Sequence, residues 1–189
     1  MNKYATFWPR LWAALLDGVV LAPLNLVSDA VFAHASSPWL VIAWYLVASC
    51  SVVTYSIDLH GRFGQTLGKM AVGVFVLDIS ERPLSMRQAF MRDIGELVAI
   101  PVAFVVDLPL LVNGIDPEKA APAGVAGYAF AFATFGWFVV ELVTMLTNNK
   151  RRALHDLIAG SVVVNKSMAD SPRAVARDRR RGIAVVWAR

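Results

Sequence analysis

Four long apolar runs organise the chain, at residues 11–33, 39–57, 94–112 and 125–147. Each is close to the roughly 20 residues that a helix needs to cross a bilayer core. The second run has no charged residue; the first carries Asp17, Pro23 and Asp29, the third Glu96, Pro101, Asp107 and Pro109, and the fourth only Glu141. A five-residue link, 34–38, joins the first pair, and 113–124, with the turn signals Asn113-Gly114 and Asp116-Pro117, joins the second. The pattern predicts an all-α membrane protein, a four-helix transmembrane bundle built as two helical hairpins. Between the hairpins the periodicity changes. Residues 72–77 are β-branched and aromatic and end in Asp78 and Ser80-Glu81-Arg82-Pro83, which predicts a short strand on the cytoplasmic membrane surface. Ser85 with Gln88 three residues on is a capping-box pattern, and it opens a helix that carries Arg87 and Arg92 to the edge of the third span.

Composition removes the soluble alternatives. Hydrophobic residues make up 57% and charged residues 17%, against about 25% charged in ordinary soluble domains. Mean hydropathy is +0.55. With 6 Trp and 10 Phe the chain is also unlike a disordered one. The single cysteine, Cys50, excludes a disulfide framework and a cysteine-based metal site. The first apolar run is too long for a signal peptide and has Asp17 at its middle, despite the small-x-small Ala33-His34-Ala35 after it.

Charge then fixes an expected orientation. Of the 18 Lys and Arg, all but Lys119 fall before the first span, between the second and third, or after the fourth. Cytoplasmic flanks collect positive residues, so the expectation is a multi-pass membrane protein with both termini cytoplasmic. The transmembrane unit covers 1–166, with a cytoplasmic loop at 58–93. Residues 167–189 form a basic tail without structure, drawn to anionic lipid rather than to nucleic acid.

Residues 66–78 can be aligned with residues 153–165, sharing Leu67/Leu154, Gly73/Gly160 and Val76/Val163 at equivalent positions. Each segment follows a predicted hairpin, and Arg10 and Arg92 each stand at the start of a hairpin. This suggests two copies of a helix–helix–strand unit in the same orientation, a parallel repeat about the membrane normal.

Candidate chemistry lies with ionisable residues at membrane depth, which are costly there unless paired or hydrated. Arg10 and Asp17 are two turns apart on nearly one face, about 10 Å along the axis. Ala13, Ala14, Gly18 and Ala22 share that face and permit close helix approach. Glu96 and Glu141 fall in the same half of the membrane. Lys69 and Asp156 take equivalent places in the repeat just below. The expectation is a ligand or ion pathway of Arg10, Asp17, Glu96, Glu141 and Asp156, with Lys69 and Arg92 completing a cytoplasmic charge cluster that could equally serve only to neutralise the acids. Asp29 and Asp107 read as solvated residues nearer the other face. His34, His60 and His155 read as loop residues without a partner nucleophile, and no phosphate-loop, HExxH or GxSxG pattern occurs. The chain is therefore read as no enzyme, with no metal and no cofactor.

The combination of Arg10 and Asp17 in the first helix, Gly64-Gln65-Thr66-Leu67-Gly68-Lys69 before an apolar strand, Arg92 ahead of the third span, and Arg152-Ala153-Leu154-His155-Asp156-Leu157-Ile158-Ala159-Gly160 before a valine run resembles the RDD family of bacterial membrane proteins. That family is named for one arginine and two aspartates. Arg10 and Asp17 match the first two, and Asp156 is assigned to the third. The resemblance implies a multi-pass inner-membrane protein that transports a small ligand or exchanges cations for protons; the residues themselves point to Asp17, with Glu141, as the carboxylate that would exchange the proton. The alternative is a non-transporting scaffold or assembly factor that docks a cytoplasmic partner. Four helices give little wall for a pathway, so the transport reading also expects a homo-oligomer.

Overall fold

The computed structural model describes residues 4–165, which leaves the basic tail outside the described residues. Four long helices dominate: α1 (Phe7–His34), α2 (Pro38–Phe63), α5 (Ile94–Leu111) and α6 (Gly124–Thr147). All four are long and apolar enough to cross a membrane. Three short helices and two strands complete the described chain: α3 (Leu67–Val72), β1 (Val74–Asp78), α4 (Met86–Arg92), α7 (Leu154–Ala159) and β2 (Ser161–Asn165).

The long helices pack as a row. α1 contacts α2, α2 contacts α5, and α5 contacts α6. Most of their large side chains, such as Leu15, Val19, Val105, Phe132 and Phe138, remain exposed. That is unfavourable in water and natural in lipid, where apolar exposure carries no penalty and helices associate by packing and hydrogen bonds.

The densest packing instead lies in a platform at one end of the row, where α1 and α5 begin and α2 and α6 finish. β1 and β2 pair antiparallel, with Val76 opposite Val163 at the centre of a register that runs from Val74↔Asn165 to Asp78↔Ser161. Strand alternation sends Val74, Val76 and Val163 to one face with Leu84 and Ala89, and Phe75, Val162 and Val164 to the other. Both faces are covered, so the strands are hydrophobic without a polar side.

Each strand follows a six-residue helix that ends in a left-handed glycine, Gly73 (φ 70°) after α3 and Gly160 (φ 65°) after α7. The left-handed turn costs a glycine nothing and lets chain direction change within one residue.

Several boundaries differ from the sequence expectation. α2 runs on to Phe63, where the hydropathy pattern stops at 57. The extension is polar and locally supported: Arg62 pairs with Asp58 one turn earlier, and Gly64 caps the helix. The strand expected at 72–77 begins at Val74, because Val72 closes α3, a helix the sequence reading placed in a loop. The Ser85 capping box is present, with Gln88 N–H donating to Ser85 Oγ (3.2 Å) and Ser85 N–H to Gln88 Oε1 (3.1 Å). The helix it opens breaks at Asp93 (φ −95°, ψ 16°) before α5 starts.

Candidate functional site

Asp156 is the centre of the platform. It is fully buried and held between two arginines from different elements: Arg10 Nη1 of α1 lies 2.6 Å from Oδ2, and Arg92 Nη1 of α4 lies 2.7 Å from Oδ1. Ser161 Oγ donates to Oδ1 (2.9 Å) and the Ala153 N–H to Oδ2 (3.2 Å). Burial by itself would raise the carboxyl's pKa, but Arg92 and then Arg10 outweigh it and hold Asp156 well below the usual carboxylate range. Arg152 closes the same corner, donating to the carbonyls of Ser161 (2.8 Å) and Asp156 (2.9 Å).

From this centre a second connection runs to the membrane. Arg92 Nη2 is 2.8 Å from His155 Nε2. A guanidinium has only donors, so Nε2 accepts and the ring proton sits on Nδ1. That proton points to Glu141 Oε2 at 2.7 Å, while the His155 backbone N–H donates to Glu141 Oε1 (3.1 Å). Arg92 thus balances Asp156 directly and Glu141 through the imidazole.

Asp17 belongs to a different arrangement. Its carboxylate accepts from Tyr55 Oη (2.7 Å), Thr66 Oγ1 (2.6 Å) and the Gly68 N–H (2.7 Å). Thr66 is the N-cap of α3, so Asp17 of α1 supplies the negative end for a neighbouring helix start. Gly68 makes this approach possible: a Cβ there would fall 2.8 Å from Asp17 Cγ. Lys69, one residue on, meets the buried His60, whose Nδ1–H donates to the Ser56 carbonyl (2.8 Å) and leaves Nε2 to accept. Burial, then the charges of Arg92 and Arg10, pull the Lys69 amine well below its usual value, with Asp156 and Asp17 opposing.

The residues expected to form one cluster therefore divide. Arg10, Arg92, Asp156 and Glu141 are joined by bonds through His155, whereas Asp17 and Lys69 occupy separate hydrogen-bond sets at α3. Sequence reading missed His60 and His155, which lie in the last turn of α2 and in α7, not in loops. The available signal was the imidazole next to Asp156 and four residues after Arg151. Asp29 and Asp107 are also partnered rather than simply solvated, with Lys119 for the first and Tyr45 Oη (3.0 Å) for the second.

Beside the charge centre is a partly open cleft of about 1110 Å³ between α1 on one side and α5 and α6 on the other. Its polar floor is Arg10, Glu96, Glu141 and His155, and apolar residues such as Ala14, Val102, Phe130 and Trp137 form its walls. Gly95 lets α6 close on α5 here, since a Cβ would meet the Trp137 ring at 2.8 Å. Arg10 Nε donates to Thr6 Oγ1 (3.3 Å) and Nη1 to Asp156, but Nη2 is buried with no acceptor among the described residues. A buried unpaired donor costs about 1–3 kcal/mol or more when charged.

Residues 4–160 match the model of the RDD family. The chain belongs to the RDD family. In this RDD protein the arginine and two aspartates matched by the sequence reading stand apart in role: Arg10 binds Asp156, and Asp17 holds α3. No curated protein and no solved structure gives a significant match.

Proposed function

We propose that this RDD protein carries a small ligand across or within a bacterial inner membrane, with the cleft between α1 and α6 as the ligand site. The observation that carries this reading is the continuity of a buried charge centre with a cleft lined by two carboxylates, Glu96 in the first turn of α5 and Glu141 of α6. Cation–proton exchange would then use Glu141 and Glu96, with Asp17 and Lys69 positioning α3 and Arg10, Arg92 and Asp156 setting the field at the floor. The transmembrane unit is 1–166, both termini are cytoplasmic, and the 167–189 tail meets anionic lipid. Neither an enzymatic activity nor a nucleic-acid partner belongs to this reading.

The hairpin repeat is part of the proposal. Val76 and Val163, equivalent in the sequence alignment, pair with each other at the centre of the ladder. A two-fold axis normal to the sheet would relate the strands, and with that axis along the membrane normal the sheet lies flat on the surface. A homo-oligomer supplies the remaining wall of the pathway.

In proteoliposomes with an imposed pH gradient, addition of Na⁺, K⁺ or Li⁺ is expected to dissipate the gradient, and Glu141→Gln to abolish that flux. Absence of wild-type flux for all three removes the cation version.

A second reading, a scaffold that docks a cytoplasmic partner, is favoured by Ile79, Met86 and Phe90, exposed on the platform. It predicts a defined co-purifying protein that Phe90→Glu releases and Glu141→Gln retains.

A further inference from the structure

The cleft has the dimensions of one membrane leaflet. Along α6, from Glu141 at the floor to Phe130 at the far wall, is 11 residues, or about 16 Å of helix. Half of a hydrocarbon core of about 30 Å is nearly the same length. The floor is at the platform end, where a bilayer crossed by the four helices would put the headgroups of that leaflet, and the walls are apolar.

The charges of the floor are specific. Arg10 is committed to Asp156, and Glu141 is balanced through His155. Glu96 lines the same floor, and none of the salt bridges found among the described residues includes it. Arg10 Nη2 is the opposite, a buried cationic donor without an acceptor among the described residues. The site thus presents a carboxylate in want of a cation and a guanidinium nitrogen in want of an anionic oxygen, with the Trp137 ring between α5 and α6 able to cover an ammonium face.

We propose that the cleft holds a zwitterionic phospholipid of the platform-side leaflet, its ammonium at Glu96, its phosphate oxygen on Arg10 after a small side-chain shift, and its acyl chains along α5 and α6. This rests on the cleft being the ligand site of the reading above. An anionic phospholipid would place a net negative headgroup beside Glu96 and Glu141, so the site discriminates by the ammonium.

The test uses the full chain, purified in nonionic detergent and incubated with equimolar dioleoyl-phosphatidylethanolamine and dioleoyl-phosphatidylglycerol, with native mass spectrometry as readout. A one-to-one adduct favouring the ethanolamine lipid by about fivefold is expected, the scale of one partly exposed ion pair. Glu96→Gln should bring the two lipids level, and Glu96→Lys should favour the glycerol lipid. Ala133→Trp, which fills the cleft, should remove the adduct. Equal binding of both lipids by the wild type, an unchanged preference in both Glu96 variants, or an adduct that survives Ala133→Trp overturns the proposal. The ion-flux assay separates the two readings: flux without lipid preference ends this inference alone, whereas charge-dependent lipid binding without flux ends the cation-exchange version and leaves the lipid site.

Discussion

At the scale of single residues, Asp156 and Asp17 show how two aspartates that the sequence reading assigns to one motif do different work. Asp156 is the shared ion-pair partner of Arg10 and Arg92, so removing its charge takes that partner from both in a site largely shut from water. Breaking such a buried pair costs about 3–5 kcal/mol, and Asp156→Asn should lower the thermal midpoint of the purified protein accordingly. The acid dependence follows from the same pair. The folded carboxyl titrates well below its ordinary range, whereas in the unfolded chain it titrates near about 3.9. Its stabilisation is therefore complete above about pH 4 and lost as pH falls toward the folded value. Midpoints measured by scanning fluorimetry across that acid limb should fall for the wild type and flatten for Asp156→Asn; equal slopes would assign the acid sensitivity elsewhere. Asp17 acts through geometry. Gly68→Ala drives a methyl into the Ala13 carbonyl oxygen and within 2.8 Å of the Asp17 carboxyl carbon, and overpacking of this kind costs about 1–3 kcal/mol or more. Its midpoint should drop with no change in the acid limb.

At the scale of elements, what the sequence revealed was local. The four spans were legible because hydropathy over about 20 residues needs no partner, and Ser85-Gln88 was legible because a capping box is complete within four residues. Ser85→Ala should cost about 0.5–2 kcal/mol, read as a lower denaturation midpoint without loss of the long helices by circular dichroism. α3 was not legible: six residues are too few to show a helical period, and the carboxylate that receives Thr66 Oγ1 and the Gly68 N–H belongs to Asp17, 49 residues before Thr66. The end of α2 was hidden for the opposite reason, since Asp58, His60 and Arg62 continue the helix after the apolar pattern has stopped. The strands were half legible. Their composition marked them, but the Val76↔Val163 register joins segments far apart in sequence. In the candidate site, Arg10, Arg92, Asp156 and Glu141 were identified by type and depth, while His155 was passed over because a lone imidazole has no meaning until Arg92 and Glu141 flank it.

At the scale of the whole molecule, charge and packing divide the protein along the same line. The Arg10–Asp156–Arg92 centre and the buried strands lie at one end of the row, and the exposed Lys119–Asp29 pair links the α5–α6 connection to α1 nearer the other end. Lys and Arg are retained on the cytoplasmic side during insertion. The orientation proposed above puts the platform in the cytoplasm and residue 119 outside. It can be read directly, because Cys50 is the sole cysteine and Cys50→Ser clears the background. In that background Lys119→Cys should react with a membrane-impermeant maleimide on intact cells, while Arg82→Cys, in the turn after β1, should react only after permeabilisation. The reverse pattern would place the charge centre and the floor of the cleft on the outer face, and any ligand would then be met from that side.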